Sequence, residues 1–223
     1  MKVIVFGATG MVGQAVLAQC LADPGVTSVV VVGRTSVGRS DDKLLEILHH
    51  DFFDFSTLAD DFADADACLF CLGVSSVGMK EPEYRRVTKD LTMAAAQVFA
   101  RAAPDAVFEY VSGRGTDSSE RGRVMWARVK GETENALLAL PFRAYGIRPG
   151  FIQAIGGVQT KTTFYRVVYR VTGWLYPVLH RFAPQYVIRS DELAQAMIEV
   201  ARQRPDNRVL ESADLLALLD RRS

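Results

Sequence analysis

Short apolar runs rich in β-branched residues alternate with segments of helical periodicity along most of the chain. Lys2–Phe6 reads as a buried strand and Met11–Ala22 as a helix that ends near Asp23, Pro24 and Gly25. The run 28–32 reads as a second strand, 46–50 as a third and 67–72 as a fourth. Val107–Val111 and 143–147 complete the set, with helices predicted at about 82–102 and 125–140. Strands that are apolar throughout are buried on both faces, and strands separated by helices run parallel. Right-handed crossovers then give an α/β fold with a doubly wound parallel sheet.

After Gly150 the rhythm changes. The stretch 162–181 is aromatic and basic, with Phe164, Tyr165, Arg166, Tyr169, Arg170, Trp174, Tyr176, His180 and Arg181. A helix is expected at 191–202 with Ser190 as its N-cap, and a shorter one at 212–219. Neither linker nor internal repeat divides the 223 residues, so one domain is expected, with a C-terminal substrate-side part at about 151–223.

Composition removes several function classes. The 26 basic residues are balanced by 26 acidic ones, which argues against a general grip on nucleic acid. No apolar stretch reaches the roughly 20 residues that span a bilayer. Val3 to Phe6 runs directly into a glycine turn, unlike a signal peptide, so a cytoplasmic protein is expected. Cys68 and Cys71 have CxxC spacing but lie within an apolar strand, where they read as core residues rather than redox or metal ligands. His49 and His50 have no partner at ligand spacing, and no metal site is expected.

The sharpest signal is Gly7-Ala8-Thr9-Gly10-Met11-Val12-Gly13 between the first strand and the first helix. Gly7 suits the tight turn, Gly10 lets the backbone approach a pyrophosphate, and Gly13 lets the helix pack close to the sheet. The N–H groups near Met11 and Val12 then face a phosphate at the positive end of the helix. A glycine triplet alone is weak evidence; at this strand–helix junction it points to a Rossmann-type dinucleotide site.

The end of the second strand bears on which dinucleotide binds. Sites for NAD place an acid there for the ribose hydroxyl, whereas this chain has Gly33-Arg34-Thr35. An arginine pairs with a 2′-phosphate, so NADP(H) is favoured over NAD(H). Asp51 and Phe52 follow the third strand, where the adenine would pass.

Together these motifs resemble the short-chain dehydrogenase/reductase superfamily in its extended and atypical, epimerase-like and TIP30-like branches. The resemblance also rests on Leu72-Gly73, Tyr110-Val111-Ser112, Lys130-Gly131-Glu132 and Arg148-Pro149-Gly150. It implies a cofactor site that includes Lys130, Arg148, Pro149 and Gly150. It also implies a catalytic group of a Ser, a Tyr and a Lys four residues beyond the Tyr. Ser112 and Lys130 match that group, but Trp126 stands at the tyrosine position.

The substitution matters chemically. A phenol beside a lysine exchanges a proton with the substrate oxygen, whereas an indole N–H donates a hydrogen bond but is too weak an acid to relay a proton. An oxidoreductase needing no acid at this position is the first expectation, with a flat aromatic or apolar small-molecule acceptor such as a flavin or quinone. Tyr84, Tyr165 or Tyr169 are other proton sources, though no pattern places them at the site. The alternative is a catalytically reduced protein that senses NADP(H), with Trp126 filling the substrate cavity. Open space over the C4 face of the nicotinamide discriminates the two. Membrane contact through 162–181 is a third reading, weaker than cleft packing because Gly173 and Pro177 interrupt the segment. The glycine-rich loop after Ser112 is expected at the substrate region, and the helices 82–102 and 125–140 offer homodimer surfaces.

Overall fold

The computed structural model describes residues 1–155 and 186–220. Seven strands form one parallel sheet: β1 (Lys2–Phe6), β2 (Ser28–Gly33), β3 (Leu44–Leu48), β4 (Ala67–Phe70), β5 (Val107–Val111), β6 (Arg143–Arg148) and β9 (Val209–Glu211). Their order is β3-β2-β1-β4-β5-β6-β9, the doubly wound arrangement that the alternation of elements predicts. β7 (Phe151–Gln153) and β8 (Val187–Arg189) make a separate parallel pair. These two strands and β9 have three residues each, too short for a pattern to announce them.

The strands are apolar because both faces are covered. On one face lie α1 (Met11–Ala22), α6 (Ser190–Gln203) and α7 (Ser212–Asp220), over Val3, Val5, Val29, Val31 and Leu69. Helix α1 is apolar nearly all round, since the sheet covers one side and Leu193, Ala194 and Met197 of α6 share its core on another. On the opposite face, a short 3₁₀ turn (Ser56–Leu58) leads into α2 (Ala59–Phe62), near α4 (Leu91–Ala102) and α5 (Met125–Leu138). Phe6, Phe55, Phe62, Phe70, Phe99 and Phe108 fill this side with ring-on-ring contacts.

Several boundaries differ from the expected ones. β3 begins at Leu44 because Val29 already pairs with it, which draws the strand two residues earlier than 46–50. β4 stops at Phe70 rather than residue 72, where the chain must pass Gly7. The helix expected at 82–102 is α3 (Glu81–Arg85), a π-helical turn (Arg86–Asp90) and α4. Ser190 lies inside α6 rather than capping it: Arg189 is the cap, and its N–H donates to Glu192 at 2.9 Å. The Ser190 hydroxyl instead accepts from the Ile155 N–H at 3.0 Å, tying the β7 side of the fold to α6. The aromatic stretch 162–181, with Tyr165, Tyr169, Gly173 and Pro177, lies outside the described residues.

Candidate functional site

The parallel order puts the carboxyl ends of β1, β2, β4, β5 and β6 on one edge, and the strand order reverses between β1 and β4. That edge, at that reversal, is where such sheets take ligands. Gly7 leaves β1 with φ +76°, and a Cβ there would lie 2.7 Å from the Leu72 nitrogen at the end of β4. A Cβ on Gly13 would lie 2.6 Å from the Gly7 carbonyl carbon and 2.8 Å from Ala8 Cα. Two glycines are therefore required by backbone, which cannot yield. Gly10 precedes α1 in extended geometry, and its N–H donates to the Gly7 carbonyl at 2.9 Å. No side chain caps α1 at Gly10, so the N–H groups of Met11, Val12 and Gly13 point toward the edge of the sheet.

Beside this loop a cavity of about 300 Å³ is lined by Gly7, Thr9, Val32, Arg34, Thr35, Phe52 and Leu72. Phe52 is buried, and the Arg34 guanidinium lies 5.6 Å from its ring centroid. Arg34 and Thr35 are exposed at the end of β2, as their sequence position predicts. Asp51 is exposed outside that lining, and its carboxylate accepts from the Phe53 N–H at 2.9 Å. Gly73 is exposed with open space at its Cβ position. His49 contacts the carbonyls of Asp51 and Asp54 at 2.7 Å each, a turn-holding arrangement.

At the ends of β5 and β6 the structure joins Ser112, Lys130, Glu134 and Arg148. The Lys130 ammonium donates to the Ser112 carbonyl, and the Ser112 hydroxyl donates to Glu134 and to the Ile147 carbonyl. Arg148, which the resemblance assigns to the cofactor, turns its guanidinium to Glu134, with Nε 3.1 Å from both carboxylate oxygens. The reason is burial: Glu134 is 1% exposed, and a charge there needs a partner. Burial also pushes the Lys130 ammonium down to about 8, against the opposing pull of Glu134. Pro149 accepts from the Arg114 N–H at 2.9 Å, and the Gly150 N–H donates to Ser212 at 2.9 Å.

A second cavity, about 700 Å³, opens beside this network. Ser112, Gly113, Arg114 and Gly115 line it from the loop after β5, Trp126 from α5, and Phe151 and Tyr186 from the β7–β8 side. Trp126 borders this space rather than filling it, its ring 3.4 Å from a Cβ built on Gly115. Asp117 holds the far end of the loop by accepting from the Gly122 N–H at 2.6 Å and the Ser119 hydroxyl at 2.6 Å.

Two features escape the pattern of the sequence. Glu109 sits in the middle of β5, fully buried, with neither carboxylate oxygen hydrogen-bonded among the described residues. Burial pushes its carboxyl well above the usual range. An acid in Val-Phe-Glu-Tyr-Val was the available signal. The other is Arg114, whose guanidinium lies 3.5 Å from the Tyr186 ring centroid, a contact no local motif encodes. Cys20 and Cys68 are buried and Cys71 partly so, all as free thiols that burial pushes upward, in line with a core reading.

This sheet and its glycine loop define a Rossmann-type fold with the architecture of short-chain dehydrogenase/reductase and epimerase enzymes. No protein-family model matches the chain. It is similar to protein HTATIP2 of Rattus norvegicus, 27% identical over 156 residues, covering 68% of this chain and 62% of that protein. It is similar also to the protein fmp52, mitochondrial, of Emericella nidulans, 28% identical over 159 residues, covering 68% of this chain and 66% of that protein. The match thus spans less than two thirds of either relative. Among solved structures, an oxidoreductase of the short-chain dehydrogenase/reductase family from Burkholderia thailandensis superposes with TM-score 0.69 at 16% identity, covering 97% of this chain and 92% of that one. MoeE5 in complex with UDP-glucose and NAD superposes with TM-score 0.69 at 16% identity, covering 95% and 75%. Identities this low show the fold. Among the described residues no helix is long and apolar enough to cross a membrane.

Proposed function

We propose that this chain binds NADP(H) in preference to NAD(H) along the carboxyl edge of the sheet and acts as an oxidoreductase on a small molecule. The observation that supports binding is the glycine cradle: side chains at Gly7 and Gly13 would strike backbone, and the uncapped start of α1 faces the same place. Met11 and Val12 would hold the pyrophosphate by their N–H groups, Phe52 and Leu72 would border the adenine, and Arg34 with Thr35 would meet a 2′-phosphate. Lys130 would reach the ribose beside the nicotinamide, with Pro149 and Gly150 near it. MoeE5, with its bound NAD, supports a dinucleotide on this fold without deciding between the two cofactors.

When bound, the dinucleotide supplies a hydride. The chain's own part is to hold and orient the acceptor beside it. The open cavity next to Trp126 favours an enzyme over a sensor, because space for an acceptor persists. Trp126 cannot relay a proton, and the Ser112 hydroxyl is engaged by Glu134, so acceptors that take a proton from solvent fit best. A flat flavin or quinone is such an acceptor, and the aromatic lining suits it. On the same reading the helical segments 82–102 and 125–140 offer homodimer surfaces, and the protein works in the cytoplasm.

Calorimetric titration with NADPH and NADH tests the binding, and an NADPH-oxidation screen over flavins, quinones and aldehydes tests the chemistry. Micromolar NADPH binding with turnover of any acceptor supports the enzyme. Tight binding without turnover turns the assignment to the NADP(H) sensor, and no binding of either dinucleotide overturns both.

A further inference from the structure

The cavity beside Trp126 carries a charge that the hydride-transfer reading does not use. Arg114 is exposed at its rim, and its side chain has no hydrogen-bond or ion-pair partner among the described residues. It is stacked on Tyr186 at 3.5 Å from the ring centroid. Its own N–H is fixed to the Pro149 carbonyl at 2.9 Å, so backbone and guanidinium are both held in place. A guanidinium over an aromatic face still carries five N–H donors in a fixed fork, a geometry that suits a carboxylate, sulfonate or phosphate. Among the described residues that line the cavity none is acidic, so none of them neutralises the charge.

The remaining walls are flat. Trp126 and Phe151 bring aromatic rings from α5 and β7, while Gly113 and Gly115, at φ +102° and +86°, add no side chains between them. Resting on the dinucleotide-enzyme reading above, we infer that the acceptor is a planar aromatic molecule bearing an anionic group, and that Arg114 recognises that group. The ring contributes burial against Trp126 and Phe151, and the anion contributes a charge-assisted pair with a pre-stacked guanidinium.

Naphthoate and its neutral analogue naphthamide separate the two contributions, titrated by calorimetry with and without saturating NADPH. The intact protein is expected to bind naphthoate roughly tenfold more tightly than naphthamide. Arg114→Met should remove that preference while leaving naphthamide affinity and NADPH affinity in place. Tyr186→Leu should reduce the preference by unseating the guanidinium. Equal affinity for both probes in the intact protein, or a preference that survives Arg114→Met, overturns the inference. NADPH binding is read in the same titrations, so loss of the dinucleotide reading is seen separately from loss of anion recognition.

Discussion

The Ser112 hydroxyl donates to Glu134, and Arg148 holds the same carboxylate with its Nε 3.1 Å from each oxygen. The serine and arginine that the resemblance places near substrate and cofactor also meet on one buried acid. Glu134 also fixes Gly146, where a Cβ would lie 2.6 Å from its Oε1. The network braces the ends of β5 and β6 against α5, and through Ser112 it reaches the lining of the larger cavity.

Removing Arg148 should therefore act on stability before it acts on binding. Arg148→Ala leaves Glu134 buried and short of its counter-charge, a change that costs about 3–5 kcal/mol. Arg148→Ala with Glu134→Gln should recover much of that loss, because the uncompensated charge is gone. Urea unfolding of the two variants measures both. Equal destabilisation of the single and double variants would sink the charge argument.

Gly13 tests the cradle. Gly13→Ala places a methyl group 2.6 Å from the Gly7 carbonyl carbon, and the glycine loop must shift or α1 must move away from β1. Overpacking of this kind costs about 1–3 kcal/mol. NADPH affinity should fall along with thermal stability, because the same displacement misplaces the N–H groups of Met11 and Val12. Unchanged affinity in a folded variant would detach the loop from binding.

Arg34 tests the cofactor preference. Its exposed guanidinium lies 5.6 Å from the centre of the Phe52 ring at the smaller cavity, and on the proposed reading it pairs with a 2′-phosphate. Arg34→Ala should weaken NADPH roughly tenfold and leave NADH within about twofold, as expected for loss of a charge-assisted bond at a wet site. Equal losses in paired titrations would remove the basis for preferring NADP.

Sequence pattern and structure agree where one local rule decides. Four consecutive valines, 29 to 32, can only be a strand covered on both faces, and Gly7 to Gly13 can only suit a tight strand–helix turn. The pattern is silent where partners are distant in sequence. Ser112 and Arg148 match family positions, yet their side chains answer to Glu134, which no spacing rule connects to either. The Arg114–Tyr186 stack depends on β8 pairing with β7, and each of those strands has only three residues.

Glu109 gives a pH signature of its own. Its carboxyl is pushed up by burial in the folded protein, with no hydrogen bond to either oxygen among the described residues, whereas the unfolded chain titrates near the ordinary value. Below that ordinary value both states hold the proton and the group adds no pH dependence to stability. As pH rises between the unfolded and folded values, unfolding releases a proton, so stability falls by about 1.4 kcal/mol per pH unit. Glu109→Gln should remove this slope, and Glu109→Leu should stabilise the fold at neutral pH by about 1–3 kcal/mol. Chemical denaturation at a series of pH values reads both. A wild-type slope retained in Glu109→Gln would show that some other group carries it.

If Trp126 stands where the reaction would use a tyrosine, restoring the phenol tests which chemistry the site lacks. Trp126→Tyr places a phenol on the same turn of α5 as Lys130, beside the open cavity. Ordinary aldehyde reduction should then appear in NADPH-oxidation assays. Its rate should fall as pH rises through about 8, where Lys130 loses the charge that makes the phenol acidic. Lys130→Met in the Trp126→Tyr background should abolish the gain, because the phenol then returns to its ordinary, weakly acidic state. A Trp126→Tyr variant that binds NADPH but reduces no aldehyde would mean the phenol is not the only missing part. The Ser112 hydroxyl, engaged by Glu134 and unable to orient a carbonyl, would then be the second.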